Sequence, residues 1–139
     1  MSTILPSGPG EGTGIANVQS VTAARTLTSL DSGGVFVINN TAATQITLPA
    51  VAVGLKYRII VGTPPTNPGS HTLTGGVAAI NGVIDVGGTL TAVANITTVT
   101  FVSTVANLTK AGDWVEVESD DGGWYISGGT TTAGAITVA

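Results

Sequence analysis

A chain of 139 residues has the length of one domain, and this one carries four basic and eight acidic side chains, a net charge of −4 and only 9% charged residues. That balance excludes the basic stripe of a nucleic-acid-binding protein, and the lack of cysteine excludes disulfides and thiolate metal sites. Mean hydropathy is +0.45, yet the apolar residues are scattered among Thr and Gly, and no run approaches the roughly 18 residues that a membrane helix requires.

The N-terminus, "MSTILPSGPGEGTG", lacks the basic and apolar regions of a secretory signal, which points to synthesis in a cytoplasm. Residues 1–13 read as a flexible arm. Its glycines and prolines oppose regular structure, while Ile4, Leu5 and Pro6 form an apolar anchor. The β domain is expected over 14–128. "VQSVTAARTLTSL" fits a strand or a short helix, and "DSGG" is a turn. "VFVINN" and "TQITLP" are short strands. "GLKYRIIVG" alternates, with Leu55, Tyr57, Ile59 and Val61 on one face and Lys56 and Arg58 on the other.

"TPPTNPGSH" is expected to be an exposed loop, with His71 solvated. Short strands resume in "HTLTG", "VAAING", "VIDVGG" and "TLTAVA", separated by Gly pairs and Asn-Gly. "NITTVTFVST" is a longer one. Phe36, Tyr57 and Phe101 read as core. Residues 129–139 form a tail that ends in a possible strand pairing with a neighbour. No segment has convincing helical periodicity. The expected fold is all-β: a compact β-sandwich or jelly-roll-like barrel of short antiparallel strands, with an extended N-terminal arm.

Five of the eight acids fall between 113 and 121, as Asp113, Glu116, Glu118, Asp120 and Asp121, alongside both tryptophans. In "DWVEVES", Val115 and Val117 point one way and Trp114, Glu116 and Glu118 the other. "DDGG" supplies turn chemistry and "WYIS" returns antiparallel. The acids then decorate a hairpin, and Trp124 covers one end of the sandwich. A glycosidase pair would want an aromatic-lined cleft, and the spacing around Asp120 and Asp121 is not that of an EF-hand loop. His71 is the single histidine, and the adjacent Ser70 has the wrong geometry for a triad. No phosphate-cradling loop or dinucleotide fingerprint occurs. The reading is a non-enzyme with no cofactor, no catalytic residue and no metal site.

Two stretches carry a resemblance. "TSLDSGGVFVINNTAATQITLPAVAVGLKYRIIV", residues 28–61, and "GDWVEVESDDGGWYISG", residues 112–128, together cover 51 residues. They resemble segments of tailed-bacteriophage structural proteins: a Leu-Thr…Asp-Ser-Gly stretch leading to Thr-Leu-Pro-Ala-x-x-x-Gly-Leu-x-Tyr/Phe, and a Gly-Asp-x-Val/Ile-Glu ending with Trp-Tyr. Residues 63–111 match no pattern of that group. The resemblance implies a virion domain of the kind found in capsid decoration (cement) proteins, head fibres and tail fibres. With no long repetitive stalk, the chain fits a decoration protein on the outer capsid surface. Its implied partners are the major capsid protein and two further copies of itself, with Ile4, Leu5 and Pro6 as contact residues; nucleic acid and membrane are not partners. The alternative is a fibre or receptor-binding tip that recognises a host glycan, for which Trp114 and Trp124 are the candidate pair.

Overall fold

The computed structural model describes residues 17–103 and 107–139. The arm, with Ile4, Leu5 and Pro6, lies outside the described residues. The fold is an all-β sandwich of two mixed sheets. The larger has the order β1 (Val18–Val21), β3 (Val35–Asn39), β5 (Lys56–Thr63), β10 (Trp114–Ser119), β11 (Trp124–Thr130), β7 (Ile80–Val86), β8 (Thr89–Ile96). The smaller has β12 (Ile136–Val138), β9 (Thr98–Val102), β6 (Ser70–Thr74), β4 (Gln45–Thr47), β2 (Arg25–Thr26).

From β1 to β6 the chain changes sheet at every connection. It therefore winds as a coil of three double-stranded turns. β1, β3 and β5 pair in parallel in the larger sheet, and β2, β4 and β6 pair in parallel in the smaller. The expected sandwich is present, but its strands are not all antiparallel: the β7–β11 pair is parallel as well. A period-2 pattern reports which face is buried, not the direction of the neighbour, so the coil leaves no local trace.

Each strand buries one face. Leu55, Tyr57, Ile59 and Val61 are all inside, as their alternation predicts. They meet Phe36, Ile38, Val115, Val117 and Trp124 from the larger sheet and Ile46, Leu73, Val99, Phe101 and Ile136 from the smaller. Burial of each such side chain contributes about 1.5–3 kcal/mol. Tyr57 is the centre of an aromatic chain, 6.3 Å from Phe36 and 5.9 Å from Trp124 by ring centroids. Its hydroxyl donates to the Thr28 carbonyl at 2.8 Å, and burial, followed by the charge of Asp31, raises its pKa.

The outer faces differ. On the smaller sheet Thr72 faces Thr100 and Thr74 faces Thr98, with Thr47 beside Thr74. β-Branched hydroxyl pairs suit such a face, and they cover it without charge. On the larger sheet Val35, Val37, Ile60 and Trp114 lie half-buried, and Val18, Val83 and Leu90 are exposed.

Of the two readings of "VQSVTAARTLTSL", the strand holds: it forms two short strands and leads into a 3-10 turn, Ser29–Asp31. Two expectations change. Asn81-Gly82 is not a turn but a bulge within β7. Gly82 has φ +150°, and a Cβ there would overlap the Ile126 carbonyl of β11. The segment 129–139 is not a tail offered to a neighbour. Gly129 and Thr130 complete β11, and β12 pairs with β9 of its own chain because Ala135 and Ile136 are buried apolar residues.

Candidate interaction surface

The coil stacks three smaller-to-larger connections at the same end of the sandwich, called the base here. These are residues 27–34, 48–55 and 75–79. The β10–β11 turn, Thr97, Ala139 and the chain entry at Asn17 lie at this end too. Hydrogen bonds tie the parts together: Gly33 N–H to the Lys56 carbonyl at 2.7 Å, Gly54 N–H to Ser119 at 3.0 Å, Trp124 N–H to Ala79 at 2.9 Å, and Thr97 N–H to Ala139 at 2.9 Å. Val35 N–H donates to the Asn17 carbonyl at 2.8 Å, which fixes Asn17 at this end.

Each base loop is held by hydrogen bonds and carries an aliphatic side chain at its tip. In the first, Asp31 accepts from Thr28 N–H at 2.9 Å and from the Arg25 guanidinium at 2.9 Å, and Leu30 is left 93% exposed. In the second, the Ser119 hydroxyl donates to the Ala52 carbonyl and Val53 is 78% exposed. In the third, Ala78 N–H closes on Gly75 and Val77 is fully exposed. Gly33, Gly54 and Gly76 take the positive φ that these corners need. Between the second and third loops lies a groove of about 330 Å³ lined by Leu48, Pro49, Val51, Val77 and Ala78. Sequence reasoning missed this surface. Its signal was an aliphatic residue beside or near a turn glycine, repeated three times, which becomes a surface only once the coil stacks the turns.

The acidic segment is a hairpin, as expected. Val115 and Val117 are buried, Trp114, Glu116 and Glu118 face outward, and Trp124 is completely buried. Four of the five carboxylates have partners among the described residues. Glu116 and Glu118 share Lys56 at 3.6 and 3.7 Å. Asp120 Oδ1 accepts from Gly122 N–H at 2.8 Å and Gly123 N–H at 3.1 Å, and Oδ2 accepts from the Tyr125 hydroxyl at 3.1 Å. Those bonds, the Gly122 one foremost, hold the Asp120 pKa below the ordinary carboxylate value; its negative charge and hydrogen bond push the Tyr125 pKa up. Asp113 is buried rather than solvent-facing, with Oδ2 accepting from Lys110 N–H at 2.8 Å. Among the described residues no three His, Asp or Glu side chains group as a metal site requires.

His71 contradicts the solvated-loop expectation. It is fully buried in β6, one register step from buried Leu73, under a loop whose Pro65 is also buried. Its Nδ1 accepts from Thr44 N–H at 3.2 Å and its Nε2 lies 3.0 Å from the Thr63 carbonyl, a pattern that assigns the neutral Nε2–H tautomer. Burial lowers its pKa.

The opposite end of the sandwich carries a notch of about 300 Å³ between Trp114, Asp85, Gly129 and Thr131. Arg58 stacks on the Trp114 ring at 4.2 Å. The structure therefore separates the two tryptophans: Trp124 is inside and Trp114 is at the surface. Among the described residues no helix is long and apolar enough to cross a membrane. Comparison with protein-family models and with curated proteins finds no match.

Proposed function

We propose that the protein is a non-enzymatic decoration (cement) protein of a tailed-phage head, held on the outer capsid surface by its base. One observation carries the reading: three exposed aliphatic loop tips, Leu30, Val53 and Val77, share one end of the sandwich with the origin of the N-terminal arm. Exposed apolar tips around a groove fit a protein surface better than solvent. The resemblance of residues 28–61 and 112–128 to phage structural proteins supports the major capsid protein as the partner. The chemistry is mass action: each bound copy adds contacts that exist only on the assembled shell. The outer face of the larger sheet, where Val35, Val37, Ile60 and Trp114 lie half-buried beside the charged pairs of Lys56 with Glu116 and Glu118, is where copies would associate as a homotrimer.

The test is add-back to phage heads that lack the protein. The wild-type chain should bind as a trimer, about three times 13.7 kDa by light scattering. The double substitution Val53→Asp, Val77→Asp should fold normally and bind the heads at least tenfold more weakly. Equal binding of the two, or a stable monomer at micromolar concentration, removes the reading. A second reading, a fibre tip that binds a host glycan, draws on the Trp114–Asp85 notch, where an aromatic ring and a carboxylate flank an unobstructed glycine. Loss of cell adsorption in Trp114→Ala, with head binding intact, would favour it.

A further inference from the structure

The base groove lacks a covering partner among the described residues, and the chain supplies one. We propose that in the free protein the N-terminal arm folds back on its own subunit and seats Ile4 and Leu5 in the groove between the 48–55 and 75–79 connections. The inference concerns the isolated chain and does not rest on the capsid reading.

Chemistry comes first. Leu48, Pro49, Val51, Val77 and Ala78 line the groove, and none of its lining residues is charged. A charged partner segment would lose hydration there without finding a counter-charge. Residues 2–10 of the arm carry no charged side chain, and Ile4, Leu5 and Pro6 are consecutive apolar groups. Val77 is fully exposed, so its side chain has no packing of its own to lose.

Reach comes second. Asn17 enters β1 at the base; the 48–55 wall of the groove runs into β5, two strands from β1, and the 75–79 wall runs into β7, five strands away. Strand spacing puts the two walls about 10 and about 25 Å from Asn17 along the sheet, with the groove between them. Residues 6–16 join Leu5 to Asn17, and glycine occupies positions 8, 10, 12 and 14. A flexible eleven-residue linker has a root-mean-square span of roughly 18 Å. Span and separation match, the condition under which a tethered segment has its highest effective concentration, on the order of millimolar. A much shorter or stiffer arm would not satisfy this. The arm thus shields Val77 and the groove until a stronger surface displaces it.

The absence of cysteine makes the test direct. The double variant Leu5→Cys, Val77→Cys is oxidised mildly and run without reductant. The expected product is an internal crosslink at monomer mass, formed at a rate unchanged by tenfold dilution. It should form at least tenfold faster than in Leu5→Cys, Thr137→Cys, where the second thiol sits exposed on β12, away from the groove. Equal rates in the two variants would mean an arm that sweeps without docking, and overturn the proposal. Bands at dimer or trimer mass would assign the groove to another copy's arm and overturn it equally. Failure of head binding with selective internal crosslinking intact would remove the capsid reading and leave this one standing.

Discussion

The first six strands and the last six solve the same packing problem by different routes. In the coil, Val18 pairs with Val35 and Val35 with Arg58, so each backbone partner lies a full turn of chain away. In the β10–β11 hairpin, Ser119 pairs with Trp124 across four residues. Closing the coil costs loop entropy before any reward arrives, whereas the hairpin closes locally. The difference teaches where the fold is held. The coil cannot seal its own last turn, because β5 has β10 as its outer neighbour. The hairpin does that sealing, and Trp124 extends it inward by packing on Tyr57.

The sharpest way to break this picture is at that joint. Truncating a buried Trp costs about 3–5 kcal/mol, so Trp124→Ala should melt far below wild type in a calorimeter and expose the coil to protease as well as the hairpin. Trp124→Phe should lose much less, since the indole N–H has no hydrogen-bond partner among the described residues. If Trp124→Ala leaves the coil half protected from proteolysis, the two halves are independent and the sealing account fails.

A smaller effect comes from within the coil. His71 is buried and neutral, joining the Thr44 N–H to the Thr63 carbonyl, and its pKa lies below the ordinary value. The unfolded chain takes up a proton near pH 6.5, and the folded one resists. Stability is therefore complete above about pH 6.5 and declines as pH falls from there toward the lower folded pKa. His71→Gln should be less stable at pH 8 and flatter between pH 6.5 and 5. Denaturant melts across that range decide it: a wild type with no decline there would mean that His71 is hydrated.

The two halves were unequally legible. "DDGG" announces its turn because Asp and Gly act through local backbone geometry, and the alternation of Val115 and Val117 gives the inward face. The same alternation in β3 and β5 gave the core face but not the parallel pairing, which depends on chain that leaves for the other sheet. Asn81-Gly82 carried turn chemistry, yet Gly82 is used for the close approach of the Ile126 carbonyl. Proline density around 63–71 suggested exposure, while both Pro65 and His71 are buried in the fold. The base was least legible. Leu30, Val53 and Val77 look like ordinary core candidates one at a time, and only the coil brings them to a common end.

The smallest expected effects test whether the hairpin's acids do more than keep its outer face wet. Glu116 and Glu118 share one partly exposed lysine, a contact worth little in water. Replacing Glu116, Glu118 or Asp121 singly by Gln or Asn should change stability by no more than about 0.5 kcal/mol. Asp120 is different in kind. Its carboxylate holds the Gly122 and Gly123 N–H groups that close the turn, and its depressed pKa means that it stabilises the fold while ionised. That contribution is present above the unfolded value near pH 3.9 and is lost as pH falls through the lower folded one, a window well below that of His71. Of these four, Asp120→Ala should therefore be the one to lower the melting temperature at pH 7, and its deficit should shrink as pH falls below the ordinary carboxylate value of about 3.9. Should all four acidic variants melt together at pH 7, the turn is held by Gly122 and Gly123 alone, and the hairpin closes without its carboxylate.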